Sequence, residues 1–187
     1  MRLIFKNTFM TKKIISLGAS NSTKSINRIL ARYASKEMNE VEFELLDLND
    51  FEMPIYSADR ENETGIPELA HQFKALILKA DGILISFAEH NSAYSAAYKN
   101  IYDWVSRIES DVWGNKPMFL MATSPGGYGG KSVLAMATAR YERSNNKPIL
   151  NFSLPSFYEN FSDEEGINNA VLLKEFQTQL KQFEEAL

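Results

Sequence analysis

The sequence predicts an α/β fold in which a parallel β-sheet is covered by helices on both faces. Short runs of consecutive apolar residues alternate along the chain with longer segments in which apolar residues recur every three or four positions. Continuous apolar runs are typical of strands buried between two layers, and the longer period is that of an amphipathic helix. Because crossover helices join parallel strands, this alternation predicts a three-layer sandwich.

Five strands are predicted from the apolar runs. The runs are rich in Ile, Leu, Val, Phe and Met, and glycine, proline or polar segments bound them. They are Lys13–Leu17, Val41–Leu48, Gly82–Phe87, Pro117–Ala122 and Pro148–Leu154.

Five helices are predicted between and after these strands. In the first, Ile26, Ile29 and Tyr33 recur at i, i+3 and i+7. In the second, Pro67 stands near the first turn, where a missing N–H is tolerated. The helices are Ser25–Met38, Ile66–Ala80, Ala93–Ile108, Tyr128–Ser144 and Asn168–Leu187.

The order of these elements predicts the flavodoxin-like arrangement, with five parallel strands in the order 2-1-3-4-5. Residues 49–65 are polar and are predicted to form a long loop. No repeat or linker divides the chain, so we expect residues 1–187 to form one domain. Residues 1–10 are expected to be a flexible tail, with either Met1 or Met10 as the start.

Composition excludes several classes of function. The 20 Lys and Arg residues are outnumbered by 24 Asp and Glu residues, so the basic surface that nonspecific nucleic-acid binding requires is missing. The absence of cysteine excludes thiol chemistry and Cys-ligated metals, and two histidines, His71 and His90, are too few for a His-rich metal site. Neither a membrane span nor a signal peptide is evident. We therefore expect a cytoplasmic protein with no metal and no membrane partner.

A ligand is expected at the carboxyl ends of the strands, where the strand order reverses. Three segments of unusual composition follow strands there. We call Gly18–Asn27 the first loop, Phe87–Tyr94 the second loop and Thr123–Gly130 the third loop.

The first loop predicts an anion site. It contains four hydroxyl side chains, two asparagines and a lysine at a helix start, where free N–H groups bind phosphate. An N-cap would require one such side chain, not four. A nucleotide triphosphatase loop is an alternative, with Asp47 as a magnesium ligand, but Gly18-x-x-x-x-Thr23-Lys24-Ser25 lacks the second glycine of that motif.

The third loop predicts a wall for a flat ligand. Four of the nine glycines of the chain lie between Gly126 and Gly130, whereas a structural turn needs one or two. The second loop supplies polar groups between the other two. An ordinary loop with Asn91 or Ser92 as helix N-cap explains its composition equally well.

Together, the three loops resemble those of the NADPH-dependent FMN reductases, which include quinone, azo-dye and chromate reductases. The family's GSxRxxSxN loop corresponds to Ala19–Asn27, its PEYN loop to Ala88–Asn91, and its KNxxDW helix end to Lys99–Trp104. Its SPGGxGG loop is present unchanged at Ser124–Gly130. This chain departs from the family pattern in having Ala19, Ser22, Ala88 and His90 where the family has glycine, arginine, proline and tyrosine.

The resemblance implies FMN as cofactor, NAD(P)H as co-substrate and a flavin, quinone or similar small molecule as acceptor. It places the phosphate of FMN on the first loop and the isoalloxazine between the second and third loops. Because a flavin carries the redox chemistry itself, no catalytic acid or base is assigned, and both histidines are interpreted as surface residues. The residues implied to contact the cofactor are Ser20, Ser22, Thr23, Lys24, Ser25, Ile26, Asn27, Ala88, Glu89, His90, Asn91, Ser124, Pro125, Gly126, Gly127 and Tyr128.

Two alternatives stay open. The spacing Ser20-x-Ser22-Thr23-x-Ser25 also resembles a flavodoxin phosphate loop, which would make the protein an electron carrier without NAD(P)H turnover. The second alternative is a flavodoxin-like protein that binds no flavin.

The resemblance further implies a homodimer or homotetramer. The stripe of Tyr94, Tyr98 and Tyr102 is interpreted first as core and second as a dimer face, and Trp104 and Trp113 as packed residues.

Overall fold

The computed structural model describes residues 11–187. The predicted tail at residues 1–10, and with it the choice between Met1 and Met10, lies outside the described residues. Within 11–187 no helix has the length and apolar character needed to cross a membrane.

The described residues form nine strands and seven helices. The strands are β1 (Lys12–Ala19), β2 (Val41–Leu46), β3 (Gly82–Phe87), β4 (Glu89–His90), β5 (Ala93–Tyr94), β6 (Met118–Thr123), β7 (Ile149–Leu154), β8 (Phe161–Ser162) and β9 (Gly166–Ile167). The helices are α1 (Ile26–Glu37), α2 (Ala58–Thr64), α3 (Glu68–Lys79), α4 (Ala96–Ile108), α5 (Lys131–Tyr141), α6 (Phe157–Asn160) and α7 (Ala170–Ala186).

Five strands form the central parallel sheet in the order β2-β1-β3-β6-β7. Since β6 and β7 correspond to the fourth and fifth predicted strands, the flavodoxin-like order 2-1-3-4-5 is confirmed. The remaining strands pair as two short antiparallel hairpins, β4 with β5 and β8 with β9.

Two apolar cores lie on opposite faces of the sheet because side chains alternate along a strand. Ile14, Leu84 and Phe119 pack against α1 and α7. Their neighbours Ile15 and Ile83 pack on the other face, against α3, α4 and α5. The prediction of helices on both faces is therefore confirmed.

The tyrosine stripe of α4 lies largely in the second of these cores. Tyr98 is buried and its hydroxyl hydrogen-bonds that of Tyr141. Trp104 and Trp113 are also buried, which confirms their interpretation as packed residues. The Trp104 Nε1–H donates to the carbonyl of Pro54 over 2.7 Å. The last residue of the KNxxDW motif therefore joins α4 to the segment that precedes α2.

Residues 49–65 are more structured than predicted. They contain most of a 3-10 turn, Leu48–Phe51, and all of α2. No residue of α2 is buried, so the helix has no apolar stripe for the sequence to show. Its ends carry the available signal: the Ser57 hydroxyl accepts from the Arg60 N–H, and Gly65 ends the helix at φ 75°.

Two predicted helices begin later than expected. The predicted helix Tyr128–Ser144 starts at Lys131 because Gly129 and Gly130 have φ of 66° and 71°, outside the helical region. The predicted helix Ala93–Ile108 starts at Ala96 because Ala93 and Tyr94 pair with the preceding strand. The other three predicted helices agree with the structure to within about two residues at each end.

Candidate functional site

The first, second and third loops meet at one edge of the sheet because they follow adjacent parallel strands, β1, β3 and β6. The Asn27 side chain joins the first loop to the third and to the end of β3, from which the second loop leaves. Its Nδ2 donates to the Thr123 carbonyl over 3.1 Å, and its Oδ1 accepts from the Thr123 N–H at 3.1 Å and the Ser86 hydroxyl at 2.8 Å. Asn27 is only 3% exposed. The structure therefore places this predicted cofactor residue inside the protein, where its amide fixes the loops relative to one another.

A second internal tie joins the first loop to α4. The Ser95 hydroxyl donates to the Ala19 carbonyl over 2.8 Å and accepts the Tyr98 N–H as the helix N-cap. Asn91 and Ser92, the N-caps considered from the sequence, lie instead at the tip of the β4–β5 hairpin with φ of 51° and 61°. Positive φ at both central residues is what a tight two-residue hairpin turn requires. Most of the second loop is therefore a tight hairpin.

The first loop presents polar side chains at the N-terminus of α1. Ser25 is buried and caps this helix, accepting the Arg28 N–H at 3.2 Å. Ser22, Thr23 and Lys24 are exposed, and within residues 11–187 their side chains make no hydrogen bond or ion pair. A helix N-terminus with free donors and a nearby cation favours an anionic ligand. Three of the side chains predicted to bind an anion are therefore accessible from solvent.

Ser20 and Ile26 have different positions from these exposed residues. The Ser20 hydroxyl is nearly buried and accepts the Ser22 N–H at 3.2 Å, which shapes the loop. Ile26 packs its side chain against the apolar core, so only its backbone can face a ligand at this helix end.

Asp47, the carboxylate considered as a magnesium ligand, is already bound by protein groups. It accepts from the Asn49 N–H at 3.0 Å and from the Arg28 guanidinium at 2.5 Å. The hydrogen bond from Asn49 and the charge of Arg28 hold the pKa of Asp47 below its usual value. This arrangement caps the 3-10 turn and gives no support to a triphosphatase site.

Glu89 links the second loop to α5, the helix that follows the third loop. Its Oε2 accepts the Val133 N–H, in the first turn of α5, at 2.9 Å. This helix has no side-chain cap of its own because Gly130 precedes it, so the Glu89 carboxylate supplies both an acceptor and a favourable charge at its N-terminus. Ala88 is buried and His90 is exposed. His71 is also exposed, which confirms the interpretation of both histidines as surface residues.

Backbone hydrogen bonds hold the third loop against the segment that follows β7. The sequence does not indicate this contact. The Ser156 and Phe157 N–H groups each donate over 3.0 Å, to the carbonyls of Gly126 and Ser124. Ser124 is half-buried, whereas Pro125, Gly126, Gly127 and Tyr128 are exposed. These contacts hold an exposed, side-chain-poor surface at the mouth of the site.

The four glycines of the third loop have two different functions. A Cβ on Gly129 would lie 2.5 Å from the Ser153 hydroxyl oxygen and 3.0 Å from the Pro155 backbone, and one on Gly130 would lie 2.9 Å from the Ala122 Cβ. A Cβ on Gly126 would meet nothing within 4 Å. Gly129 and Gly130 are therefore required by the fold, and only the exposed pair Gly126 and Gly127 is left open for the predicted ligand wall.

Alanine substitutions should separate these two functions. Gly129→Ala is expected to lower the free energy of unfolding by about 2–3 kcal/mol, since it combines a positive φ with a backbone clash. Gly126→Ala should change stability by less than about 0.5 kcal/mol, yet weaken the binding of a flat ring several-fold because the methyl group occupies the open surface. Urea denaturation and flavin titration measure the two effects. Equal stability losses in the two variants would contradict the division.

Tyr94 ends the second loop, and burial raises the pKa of its phenol to about 12. Its ring packs on Phe87 and Tyr98, with centroids 5.6 Å and 5.2 Å away. Tyr94 therefore stays protonated and supports the hairpin from inside.

Comparison with known proteins agrees with this geometry. A model of the family described as NADPH-dependent FMN reductase matches residues 12–158. A 2-hydroxy-1,4-benzoquinone reductase of a Burkholderia species is 36% identical over 122 residues, which are 64% of each chain. A quinone reductase of Escherichia coli is 31% identical over 124 residues, or 63% of each chain. The matched region thus spans slightly less than two thirds of these relatives.

Solved structures share the fold. The flavoenzyme NAD(P)H:(acceptor) oxidoreductase FerB of Paracoccus denitrificans aligns with a TM-score of 0.74 at 24% sequence identity, covering 94% of this chain and 96% of its own. The family match, in contrast, rests on sequence and contains all three loops. This chain belongs to the NADPH-dependent FMN reductase family.

Proposed function

We propose that this protein binds FMN across the three loops and transfers electrons from NAD(P)H to a small acceptor such as a quinone. The observation that carries the proposal is the position of the open glycines, Gly126 and Gly127, at the same sheet edge as the exposed donors of the first loop. One end of the site fits a phosphate and the other fits a flat ring.

The residues present fit FMN in charge and in shape. The phosphate would lie at the N-terminus of α1, where Ser22, Thr23 and Lys24 have side chains available for it. Ser22 replaces the arginine of the family pattern, and Lys24, four residues before Arg28, supplies a cation at this end of the helix. The ring would lie against Gly126 and Gly127, where no Cβ obstructs its approach.

When bound, FMN supplies the redox chemistry, accepting a hydride from NAD(P)H and giving up two electrons to the acceptor. The chain supplies orientation. Asn27 and Ser95 fix the first loop against the second and third through buried hydrogen bonds. Glu89 is already used to cap α5, and His90 lies exposed in the hairpin, so neither is assigned a proton-transfer step.

The proposed acceptor is a small planar molecule. Tyr128 is 62% exposed beside the open glycines and offers an aromatic face, and similar proteins are named quinone reductase and azoreductase. By family resemblance we also propose a cytoplasmic homodimer or homotetramer. Exposed apolar side chains such as Ile55 and Tyr158 supply surface for such contacts, and light scattering of the purified protein would measure the assembly.

Steady-state turnover tests the proposed activity. FMN-loaded protein is expected to oxidise NADPH or NADH rapidly when a benzoquinone is present and slowly without it. The Gly126→Ala variant should turn over more slowly at limiting FMN because it binds the ring less well. A protein that holds FMN but oxidises neither nicotinamide would instead be an electron carrier of the flavodoxin type.

A further inference from the structure

A cavity of about 500 Å³ lies between α1 and the β8–β9 hairpin. It adjoins the proposed phosphate site because Thr23, Lys24 and Ser25 line it. Its volume is within the range of about 300–1,000 Å³ that is usual for small-molecule sites. FMN, which ends at its phosphate, would leave this cavity empty.

The cations around the cavity lie on one of its walls, and three of its four carboxylates lie on the other. Lys24, just before α1, and Arg28, Arg32 and Lys36 within it supply the cations of the first wall, which also contains Glu37. On the facing loop, Asp163, Glu164 and Glu165 form an acidic tip. Within residues 11–187, neither Lys24 and Arg32 nor the three carboxylates have an ion-pair partner. Lys24 lies at the end of the cavity next to the proposed phosphate site, and the carboxylates of the hairpin lie on the opposite wall.

Arg28 also has an unpaired hydrogen-bond donor. One of its terminal nitrogens binds Asp47 at 2.5 Å, but its Nε is buried and has no hydrogen-bond partner. A group that entered the cavity at this end could satisfy that donor.

The floor of the cavity is apolar and fixed. Tyr33 packs on Phe161 and Phe176 with ring centroids 5.3 Å away in each case. The hairpin lies so close to this ring that a Cβ on Gly166 would collide with it. Beside Tyr33, Ile29 is 37% exposed and faces the cavity. The cavity therefore has an ordered apolar surface on which a flat base could lie.

We propose that this cavity takes the adenylate half of FAD, so that the site accepts FAD as well as FMN. The inference rests on the proposed flavin site, because the adenylate is joined to the phosphate that the first loop would hold. The second phosphate would meet Lys24 and Arg28, and the base would lie on Ile29. The carboxylates of the hairpin suit ribose hydroxyls and an adenine amino group, which donate hydrogen bonds to them. They would repel the 2′-phosphate of NADPH, which makes the nicotinamide cofactor a poorer occupant.

Flavin titrations of the apo-protein test this inference through binding rather than turnover. FMN and FAD are titrated separately by fluorescence quenching into the wild type, Ile29→Trp and Leu78→Trp. The tryptophan at position 29 fills the cavity, whereas Leu78 is an exposed residue of α3 that does not line it. Wild type is expected to bind both flavins. Ile29→Trp should weaken FAD binding about tenfold, a loss of about 1.4 kcal/mol, but FMN binding less than about twofold. Leu78→Trp should change neither affinity.

Several results would overturn the proposal. Wild-type protein that binds FMN but not FAD would do so, as would Ile29→Trp changing both affinities by the same factor. An Ile29→Trp variant that keeps both flavins but shows a raised KM for NADPH would assign the cavity to the nicotinamide cofactor. If wild type binds neither flavin, the proposed function is also wrong, and this outcome is distinct from the others.

Discussion

Ser25→Asp is expected to bind FMN about a hundredfold more weakly than Ser25→Asn. Asp and Asn are equally good N-caps and nearly equal in size, so both variants should keep the hydrogen bond from the Arg28 N–H that Ser25 accepts. They differ by one negative charge where the phosphate would lie. Two like charges about 4 Å apart repel by about 4 kcal/mol at a protein surface, and solvent screening reduces this towards the 2.7 kcal/mol that a hundredfold change represents.

Riboflavin provides the matched control for this comparison. It carries the same ring as FMN without the phosphate, so the Asp and Asn variants should bind it equally. Fluorescence titration of both flavins against both variants gives four dissociation constants. If Asp and Asn bind FMN equally, the phosphate does not lie at the N-terminus of α1. If riboflavin also distinguishes them, the substitution has disturbed the loop rather than the charge.

Asn27→Leu is expected to lower the free energy of unfolding by about 4 kcal/mol. The change removes three buried hydrogen bonds and leaves the N–H and carbonyl of Thr123 without these partners. A buried group left unpaired costs about 1–3 kcal/mol, and the Ser86 hydroxyl contributes least because it can rotate. A loss of this size is a large fraction of the free energy of unfolding of about 5–15 kcal/mol that is usual for a domain.

Asn21→Leu is the control for that substitution. Asn21 is exposed in the same loop, and within residues 11–187 its side chain makes no hydrogen bond, so the same change there should cost less than about 0.5 kcal/mol. Urea denaturation of both variants measures the difference. A loss below about 1 kcal/mol for Asn27→Leu would show that the three loops are held together by other contacts.

The sheet order and the meeting of the three loops could be predicted because both follow from local patterns. The buried strands β3 and β6 read as continuous apolar runs, and the alternation of strands and helices left few topologies. The exposed donors of the first loop and the glycines of the third were recognisable by composition. Once the strand order was known, their proximity followed.

The ties that shape the site could not be predicted, because each joins residues far apart in sequence. Asn27 and Thr123 are 96 residues apart, and Glu89 and Val133 are 44 apart. No local pattern marks such pairs. The four glycines show the same difficulty: Gly129 is required by contact with Ser153 and Pro155, which the spacing of the glycines alone does not reveal. Asn27 was grouped with the phosphate residues by its position and proves to be an internal tie.

The β4–β5 hairpin was missed for a different reason. It contains only two residues in each strand, and its turn is Asn91-Ser92 rather than the glycine-containing pair that usually signals such turns. The segment after β7 was likewise too short and too irregular to show a period. Both pieces border the site: the hairpin forms most of the second loop, and the segment after β7 holds the third loop.

Anaerobic titration of the FMN-loaded protein with NADPH, followed by visible absorbance, tests whether this chain reduces a bound flavin with a nicotinamide. We expect one flavin bound per chain and complete bleaching of its absorbance by one equivalent of NADPH or NADH. Protein that binds no FMN, or that keeps its bound flavin oxidised in the presence of both nicotinamides, would contradict it.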